Sequence, residues 1–281
     1  MKKGLVLEGG GMRGMFTCGI LDVLLERGVQ FDGAVGVSAG AAFGCNYKSR
    51  QVGRALRYNC RFAADKRYMG LRSWLRTGNL INAEFAYHTV PMQYDQVDND
   101  TFIHNPMEFH LVCTDVDTGQ PVYHRLTHVD DEQLEWIRAS CSMPLVSVAV
   151  PLDGRKLLDG GISDSIPLRY FQSQGYERNI VILTQPKGYF KRRTKLMPIF
   201  RLFCKYPAIV RAMDRRWQMY NEQLRYIDQQ AALGNTLLLY PERPLSISRT
   251  CSKASKLKEV YAMGRKVGLE NYDRIIEFLK K

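Results

Sequence analysis

The chain has 281 residues, 45% of them hydrophobic, and a formal net charge of +12 at pH 7, which suits one large α/β domain with a sizeable core. Its seven cysteines are odd in number and form no C-x-x-C pair, which argues for a reducing compartment and against a disulfide framework or a zinc site. Glu8 interrupts the apolar N-terminal run, so we expect neither a signal peptide nor a membrane span, and a cytoplasmic protein without metal or cofactor.

The first predicted strand, residues 3–7, leads into a glycine-rich turn that opens a helix. Consecutive glycines at a helix start leave backbone N–H groups unobstructed, and these groups attract negative charge. We therefore predict that Gly10, Gly11 and Met12 form an oxyanion hole. The turn consists of Gly9, Gly10, Gly11, Met12, Arg13 and Gly14.

Arg13 is unusual because a cation in the first turn of a helix opposes the helix macrodipole. Two interpretations of this residue stay open. Arg13 either binds an anionic group of a substrate or forms a structural ion pair, for which Glu8 is the nearest acid in sequence.

The same turn also fits the dinucleotide-binding fingerprint, with Gly9, Gly11 and Gly14 at the right spacing and Asp32 at roughly the expected distance. A ribose-binding acid should lie at the end of the second strand, whereas Asp32 precedes that strand. We therefore rank dinucleotide binding well below acyl chemistry.

The second predicted strand, residues 34–37, ends in the run Gly36-Val37-Ser38-Ala39-Gly40 before a helix that reaches residue 48. This run matches the G-x-S-x-G nucleophile elbow, in which small neighbours permit a strained backbone that exposes the serine hydroxyl. Ser38 is the candidate nucleophile. Alternatively, Ser38 only caps the following helix.

A basic helix is predicted over residues 51–67, with its arginines on a solvated face, and residues 68–94 follow no regular pattern. Residues 109–113 and 121–125 then predict paired strands, and a helix begins at Asp130 and ends before Pro144.

A nucleophilic serine needs a base, and none of the five histidines lies in a recognisable motif. Asp159 is the better candidate, because it follows a predicted strand and precedes Gly160 and Gly161. The alternative is an ordinary Asp-Gly turn, which is how we interpret Asp153-Gly154, in a hairpin before Asp159.

The glycine turn, the serine elbow and the Asp159-Gly160-Gly161 block resemble the three signature blocks of patatin-like phospholipases, in the family's order. Residues 139–144 are similar to the family's alanine-serine block. The resemblance implies a Ser38–Asp159 dyad without histidine, a three-layer α/β/α fold with a mostly parallel central sheet, and hydrolysis of acyl esters in lipids. The resemblance also implies that six glycines of these blocks are motif positions, namely Gly9, Gly14, Gly36, Gly40, Gly160 and Gly161.

The resemblance covers residues 1–185, which we expect to form the catalytic core. Residues 186–281 predict a largely helical C-terminal third, packed on the same domain, with one strand at residues 236–240.

Two classes of function follow. The first is a serine hydrolase of phospholipase A, lysophospholipase or esterase type, and the second is a non-enzymatic binder of anionic or nucleotide ligands that uses the glycine turn. Co-occurrence of Ser38 and Asp159 favours the hydrolase.

The segment 187–216 carries ten Lys and Arg residues against the single acid Asp214, with aromatic residues between them. This composition suits peripheral contact with the anionic inner membrane surface, and no nucleic-acid motif accompanies it. A solvated basic loop with its aromatic side chains in the core is the open alternative.

Overall fold

The structure, a computed structural model, describes residues 1–280. Its centre is one eight-stranded sheet. The strands are β1 (Lys2–Leu7), β2 (Gly33–Val37), β3 (Glu108–Asp115), β4 (Pro121–Leu126), β5 (Val150–Leu152), β6 (Arg155–Asp159), β7 (Tyr176–Ile182) and β8 (Thr236–Leu239).

Eleven α-helices surround the sheet within the described residues. They are α1 (Met15–Glu26), α2 (Ala39–Lys48), α3 (Arg54–Phe62), α4 (Leu71–Thr77), α5 (Asn99–His104), α6 (Asp131–Ser140), α7 (Leu168–Ser173), α8 (Met197–Phe203), α9 (Pro207–Ala232), α10 (Ala254–Glu270) and α11 (Tyr272–Lys280). A π-helix spans Glu84–Tyr94, and 3₁₀ turns follow β1 and β6.

The sheet is mostly parallel, as predicted. Its order is β5-β6-β3-β2-β1-β7-β8. Strands β2 and β6 share one edge of β3, and β4 pairs with the opposite edge. Strands β1, β2, β3, β7 and β8 run parallel, whereas β4, β5 and β6 are antiparallel to their neighbours. The β5–β6 hairpin turns at Asp153 and Gly154, whose φ angles of 48° and 70° suit the predicted two-residue turn.

Both faces of the sheet are covered, which gives the predicted three layers. Along β1, Leu5 and Leu7 join the core formed with α1 and α2, while Val6 between them joins the core formed with α7 and α9. Alternation of side chains along a strand produces this division, and a strand buried on both faces is apolar throughout.

Strands β2 and β6 meet end to end along one edge of β3. The last residue of β2, Val37, pairs with Val112, and the last residue of β6, Asp159, pairs with Cys113, the next residue of β3. Because the two strands approach from opposite directions, the residue after Val37 and the side chain of Asp159 are brought together. This junction positions Ser38.

Residues 51–94 differ from expectation. The basic helix is limited to α3, and Arg54 is buried, where it binds the Asn46 side chain and the backbone carbonyl of Asp95. The prediction that the arginines of this helix lie on a solvated face is therefore wrong at Arg54. The irregular stretch 68–94 contains α4 and the π-helix.

The C-terminal third is joined to the rest of the fold by the sheet and by a helix pair. Strand β8 pairs in parallel with β7, and α10 packs along α1. A Cβ atom at Gly264 of α10 would lie 1.9 Å from the Phe16 carbonyl oxygen of α1, so the backbones are in direct contact. Across residues 1–280, every helix is too short or too polar to cross a membrane.

Candidate active site

Ser38 lies in a sharp turn between β2 and α2, with φ 54° and ψ −122°. Positive φ is strained for a residue with a side chain. The turn needs glycines at Gly36 and Gly40, because a Cβ atom on Gly40 would approach the Leu7 carbonyl oxygen to 2.3 Å and one on Gly36 would approach that of Gly40 to 2.5 Å. The Ser38 side chain makes no capping hydrogen bond to α2, which argues against the helix-cap interpretation.

The backbone of the turn is held by Ser140, the last residue of α6. The Ser140 hydroxyl accepts a hydrogen bond from the Ser38 N–H (3.0 Å) and donates one to the Val112 carbonyl (2.7 Å). Ser140 is fully buried. One side chain thus connects α6, the serine turn and β3.

Asp159 is 2% exposed. Its Oδ1 accepts a hydrogen bond from the Gly161 N–H (2.8 Å), whereas Oδ2 has no partner of full hydrogen-bond geometry within residues 1–280. Burial raises the pKa of Asp159, and a hydrogen-bonding interaction with the Ser38 side chain and the positive charge of Arg216 both oppose that rise. The carboxylate therefore faces Ser38 with one oxygen available to accept a proton.

Gly10, Gly11 and Met12 of the glycine turn line the same cavity, and their backbone N–H groups differ in their partners. Those of Gly10 and Gly11 have no hydrogen-bond acceptor within the described chain, whereas the Met12 N–H donates to the Arg249 carbonyl (3.1 Å). The Met12 N–H is therefore engaged within the protein, unlike those of Gly10 and Gly11, and this contact disfavours Met12 as a donor to a substrate oxygen. Gly11, at φ +57°, lets Arg249 pack on the turn, since a Cβ atom there would lie 2.4 Å from the Arg249 oxygen.

Arg13 does not form the ion pair with Glu8 that the sequence left open. The Glu8 oxygens instead accept hydrogen bonds from the Thr184 N–H and the Tyr220 hydroxyl, each at 2.6 Å. The buried Arg13 Nε has no partner among residues 1–280. Burial and then the charge of Arg249 lower the pKa of Arg13, while Glu8 acts in the opposite direction.

None of the five histidines, all within the described residues, lines the cavity. Each has a partner elsewhere. His88 binds Asp131 and Glu135, His104 binds Asp100, His110 binds Tyr170, His124 binds Gln133, and His128 binds Asp130.

Asp32 lies at the opposite end of the sheet, where its carboxylate accepts a hydrogen bond from the Lys3 N–H (2.6 Å) at the start of β1. The glycine turn follows the other end of that strand. Asp32 therefore cannot reach a ligand bound at the turn, which argues against the dinucleotide fingerprint.

Ser38 and Asp159 share a cavity of about 210 Å³ with two chemically different sides. One side is mostly apolar and is lined by α2, α3, the π-helix and α6, with Phe43, Tyr58, Val90 and Ile137 among its residues. The one cation from these elements, Arg54 of α3, is paired with Asp95. The other side is cationic and is formed by Arg13, Lys191, Arg216 and Arg249.

Sequence reasoning missed Lys191, Arg216 and Arg249 as site residues. Lys191 and Arg216 lie within the basic segment 187–216, but sequence alone did not separate cavity residues from surface residues. No local pattern marked Lys191, because its ammonium lies 4.4 Å from the centre of the Tyr220 ring, which is outside that segment.

Residues 5–171 match the family model described as patatin-like phospholipase. The chain belongs to the patatin-like phospholipase family. Residues 206–280 match a second family model, described as a domain of unknown function.

Among curated members related to this chain, the uncharacterised protein YjjU of Escherichia coli K12 is 30% identical over 280 residues, covering 94% of this chain and 75% of that protein. A lysophospholipase, nte1 of Aspergillus oryzae, is 27% identical over 179 residues, covering 61% of this chain but only 11% of that protein. Crystallised VipD of Legionella pneumophila aligns with 96% of this chain and 67% of its own, with 12% identity and a TM-score of 0.45.

Membership of the patatin-like phospholipase family supports hydrolysis of lipids as the general activity of this chain. A lipid is the corresponding class of substrate.

Proposed function

We propose that this protein is a serine acyl hydrolase that cleaves carboxylic esters of lipids, with Ser38 as nucleophile, Asp159 as general base, and the N–H groups of Gly10 and Gly11 as the oxyanion hole. The observation that carries the proposal is the juxtaposition of a strained serine with a buried carboxylate that has one oxygen free. Strained serine turns and buried carboxylates of raised pKa both concentrate at active sites.

In the proposed reaction, Asp159 Oδ2 accepts the hydroxyl proton as Ser38 Oγ attacks the ester carbonyl carbon. The carbonyl π electrons move to its oxygen, where Gly10 and Gly11 stabilise the charge. Collapse of this intermediate expels the lipid alcohol, which takes the proton from Asp159. Water then attacks the acyl-Ser38 ester and gives its proton to Asp159. The second collapse releases the fatty acid and returns the proton to Ser38 Oγ.

The two-sided cavity supports a lipid substrate. Its apolar side can receive an acyl chain, while its cationic side can receive an anionic head group. Ser38 and Asp159 lie where an ester carbonyl would join these two parts. Arg13, with its unpartnered Nε, is the substrate-binding residue on the cationic side that the sequence predicted.

Reaction with a fluorophosphonate tests the proposal, since only an activated serine reacts readily with this probe. We expect one label per chain, at Ser38, in the wild type and in Ser147→Ala, which removes another serine that lines the cavity. Ser38→Ala should remain unlabelled. Equal labelling of Ser38→Ala would overturn the proposal and favour the alternative, a non-enzymatic binder of anions at the cationic side.

We further propose that the protein docks on an anionic membrane surface through α8 and the loop before it. Phe190, Leu202 and Phe203 are 61%, 76% and 70% exposed, while Met197 and Phe200 anchor α8 in the core. Exposed cations alternate with these side chains along the same segment, namely Arg192, Arg193, Lys195, Arg201 and Lys205. Exposed apolar side chains interspersed with cations suit the boundary of an anionic bilayer.

We leave Lys191 out of the proposed docking surface, because it lines the cavity. The test therefore changes Arg192, Arg193 and Lys195 to glutamate. We expect the wild type to co-sediment with anionic but not zwitterionic vesicles, and this variant to lose binding. Changing Lys253, Lys258 and Arg274 to glutamate removes the same charge near the C-terminal helices and should leave binding intact. Equal effects of the two sets would contradict docking through α8.

A further inference from the structure

Five cations of the described chain line the cavity, and four of them, all except the Asp95-paired Arg54, come from separate parts of the chain. Arg13 comes from the glycine turn, Lys191 from the loop after β7, Arg216 from α9, and Arg249 from the loop before α10. Within residues 1–280 none of the four forms a salt bridge with a carboxylate, although Arg193 and Arg201 nearby in sequence both pair with Asp214. Two carboxylates, Glu8 and Asp159, also line the cavity, so these four cations leave an excess of positive charge there.

These cations act on one another. Burial lowers the pKa of Lys191 to about 7, with further contributions from Arg216 and Arg249. Burial likewise lowers the pKa of Arg216, and the charge of Asp159 opposes this. Glu8 also opposes the shift at Lys191, but its oxygens already accept hydrogen bonds from Thr184 and Tyr220.

Arg13, Lys191 and Arg216 are partly buried and Arg249 is exposed. Partly buried cations without a salt bridge are costly, and an anion that enters the cavity relieves that cost. A terminal phosphate ester carries close to two negative charges at neutral pH, and its three oxygens can accept hydrogen bonds from several donors at once. A choline or ethanolamine phosphodiester carries one negative charge and adds a cation, which these four side chains would repel.

We propose that Arg13, Lys191, Arg216 and Arg249 bind the terminal phosphate of an acyl glycerol phosphate, so that the preferred substrate is a lipid with a phosphomonoester head group. This inference rests on the proposed hydrolase function and specifies the substrate of the same site. The apolar side of the cavity selects an acylated ligand over inorganic phosphate, because the free anion gains nothing from that side.

The inference also assigns a role to the C-terminal third of the chain. Lys191, Arg216 and Arg249 all lie beyond the segment that matches the patatin-like family model, and the last two lie within the segment that matches a domain of unknown function. This part of the chain therefore supplies most of the head-group site.

Binding by Ser38→Ala protein tests the inference without turnover. Isothermal titration calorimetry would compare four ligands, namely hexanoyl glycerol 3-phosphate, glycerol 3-phosphate, inorganic phosphate and hexanoyl glycerophosphocholine. We expect the first to bind most tightly. Adding Lys191→Gln and Arg249→Gln should weaken its binding by on the order of tenfold or more, because charge-assisted hydrogen bonds are lost.

The matched control adds Arg243→Gln and Lys253→Gln instead, which removes two exposed cations from the segment around Arg249 and should not change affinity. Phosphate binding as tight as that of the acylated ligand would show a site for the free anion and overturn the lipid inference. Equal affinity for the choline ester, or equal weakening by both double variants, would overturn selection by charge.

Hydrolysis by protein with Ser38 intact separates this inference from the proposed function. We expect Lys191→Gln with Arg249→Gln to lower the ratio of kcat/KM for hexanoyl glycerol 3-phosphate to that for p-nitrophenyl butyrate by on the order of tenfold. An unchanged ratio with active enzyme would overturn the head-group inference and leave the hydrolase standing. Absence of all ester hydrolysis in the wild type would overturn the hydrolase, and the calorimetry would still decide whether the cations select a phosphomonoester.

Discussion

Asp159, the proposed general base, is subject to opposing influences on its pKa. Burial raises its pKa, whereas its interaction with Ser38 and the charge of Arg216 counteract that rise. Arg216 also bonds through Nε to the Gly161 carbonyl, which fixes the guanidinium beside the Asp159 turn. Arg216 is therefore a positioning residue as well as a source of charge.

We predict that Arg216→Gln shifts the acid limb of the kcat/KM profile for a neutral ester toward higher pH. Removing the cation leaves burial less opposed, so the pKa of Asp159 rises and the base is protonated over a wider range. A shift of roughly one pH unit or more is expected for an opposite charge this close. Arg216→Lys keeps the charge and should retain most of the original profile. An acid limb that stays in place in Arg216→Gln would exclude this electrostatic role.

The sequence was informative at the residue scale where chemistry and backbone geometry depend on the same few neighbours. Ser38 and Asp159 each carry adjacent glycines, and the structure brings the two side chains together. The sequence did not show that the Met12 N–H bonds to Arg249, because that residue is remote in sequence. Lys191 was assigned to the surface for the same kind of reason, since its burial depends on α9.

Ser140 is decisive at the scale of elements, because it connects α6 to the serine turn. Its hydroxyl satisfies a donor on Ser38 and an acceptor on Val112, and both backbone groups lie where water has little access. Ser142, two residues later and beyond the end of α6, makes a different kind of bond, back to the Arg138 carbonyl in the last turn of that helix.

We predict that Ser140→Ala lowers the free energy of unfolding by about 2 to 4 kcal/mol, because two buried backbone groups lose their partner. Turnover should fall as well, because the strained turn loses the hydrogen bond from the Ser38 N–H to Ser140 that holds it. Ser142→Ala, which breaks one local bond, should cost about 1 kcal/mol or less. Denaturant unfolding and ester hydrolysis measure the two effects. Equal stability of Ser140→Ala and the wild type would contradict this account of the turn.

Elements with a strong period or turn signal were predicted well, among them α2, the β3–β4 pair and the β5–β6 hairpin. Residues 68–94 were not predicted, because a π-helix with Pro91 inside it has neither the helical nor the strand period. The prediction of a solvated arginine face on α3 was wrong at Arg54, because the burial of Arg54 depends on Asn46 and Asp95 from other segments.

The chain as a whole depends on how residues 186–281 attach to the core. We propose that they belong to the same folding unit as residues 1–185, because β8 extends the central sheet and α10 packs on α1 without space for side chains at the closest point. The relevant glycines are Gly19, where a Cβ atom would lie 2.1 Å from the Tyr261 carbonyl oxygen, and Gly264. Sequence predicted the helices here but not this contact, because no local pattern marks which glycines meet.

We predict that Gly264→Ala lowers the free energy of unfolding by about 3 kcal/mol, since the added methyl group forces α1 and α10 apart. Gly268→Ala is the matched control on the same helix. A Cβ atom there would lie 3.2 Å from the Val23 Cβ, a contact that a small shift relieves. Thermal and denaturant unfolding of both variants would measure the difference. Equal stability of the two variants would show that α10 is not held against α1 in this way.

The assignment of Ser38 and Asp159 as a catalytic dyad is tested most directly by hydrolysis of a short-chain p-nitrophenyl ester by wild type, Ser38→Ala and Asp159→Asn, each with its fold checked by circular dichroism. We predict that Ser38→Ala shows no turnover above background. Asp159→Asn keeps the side-chain shape but removes the proton acceptor, so its kcat should fall on the order of 100-fold or more. Wild-type turnover by a folded Ser38→Ala protein would contradict the account.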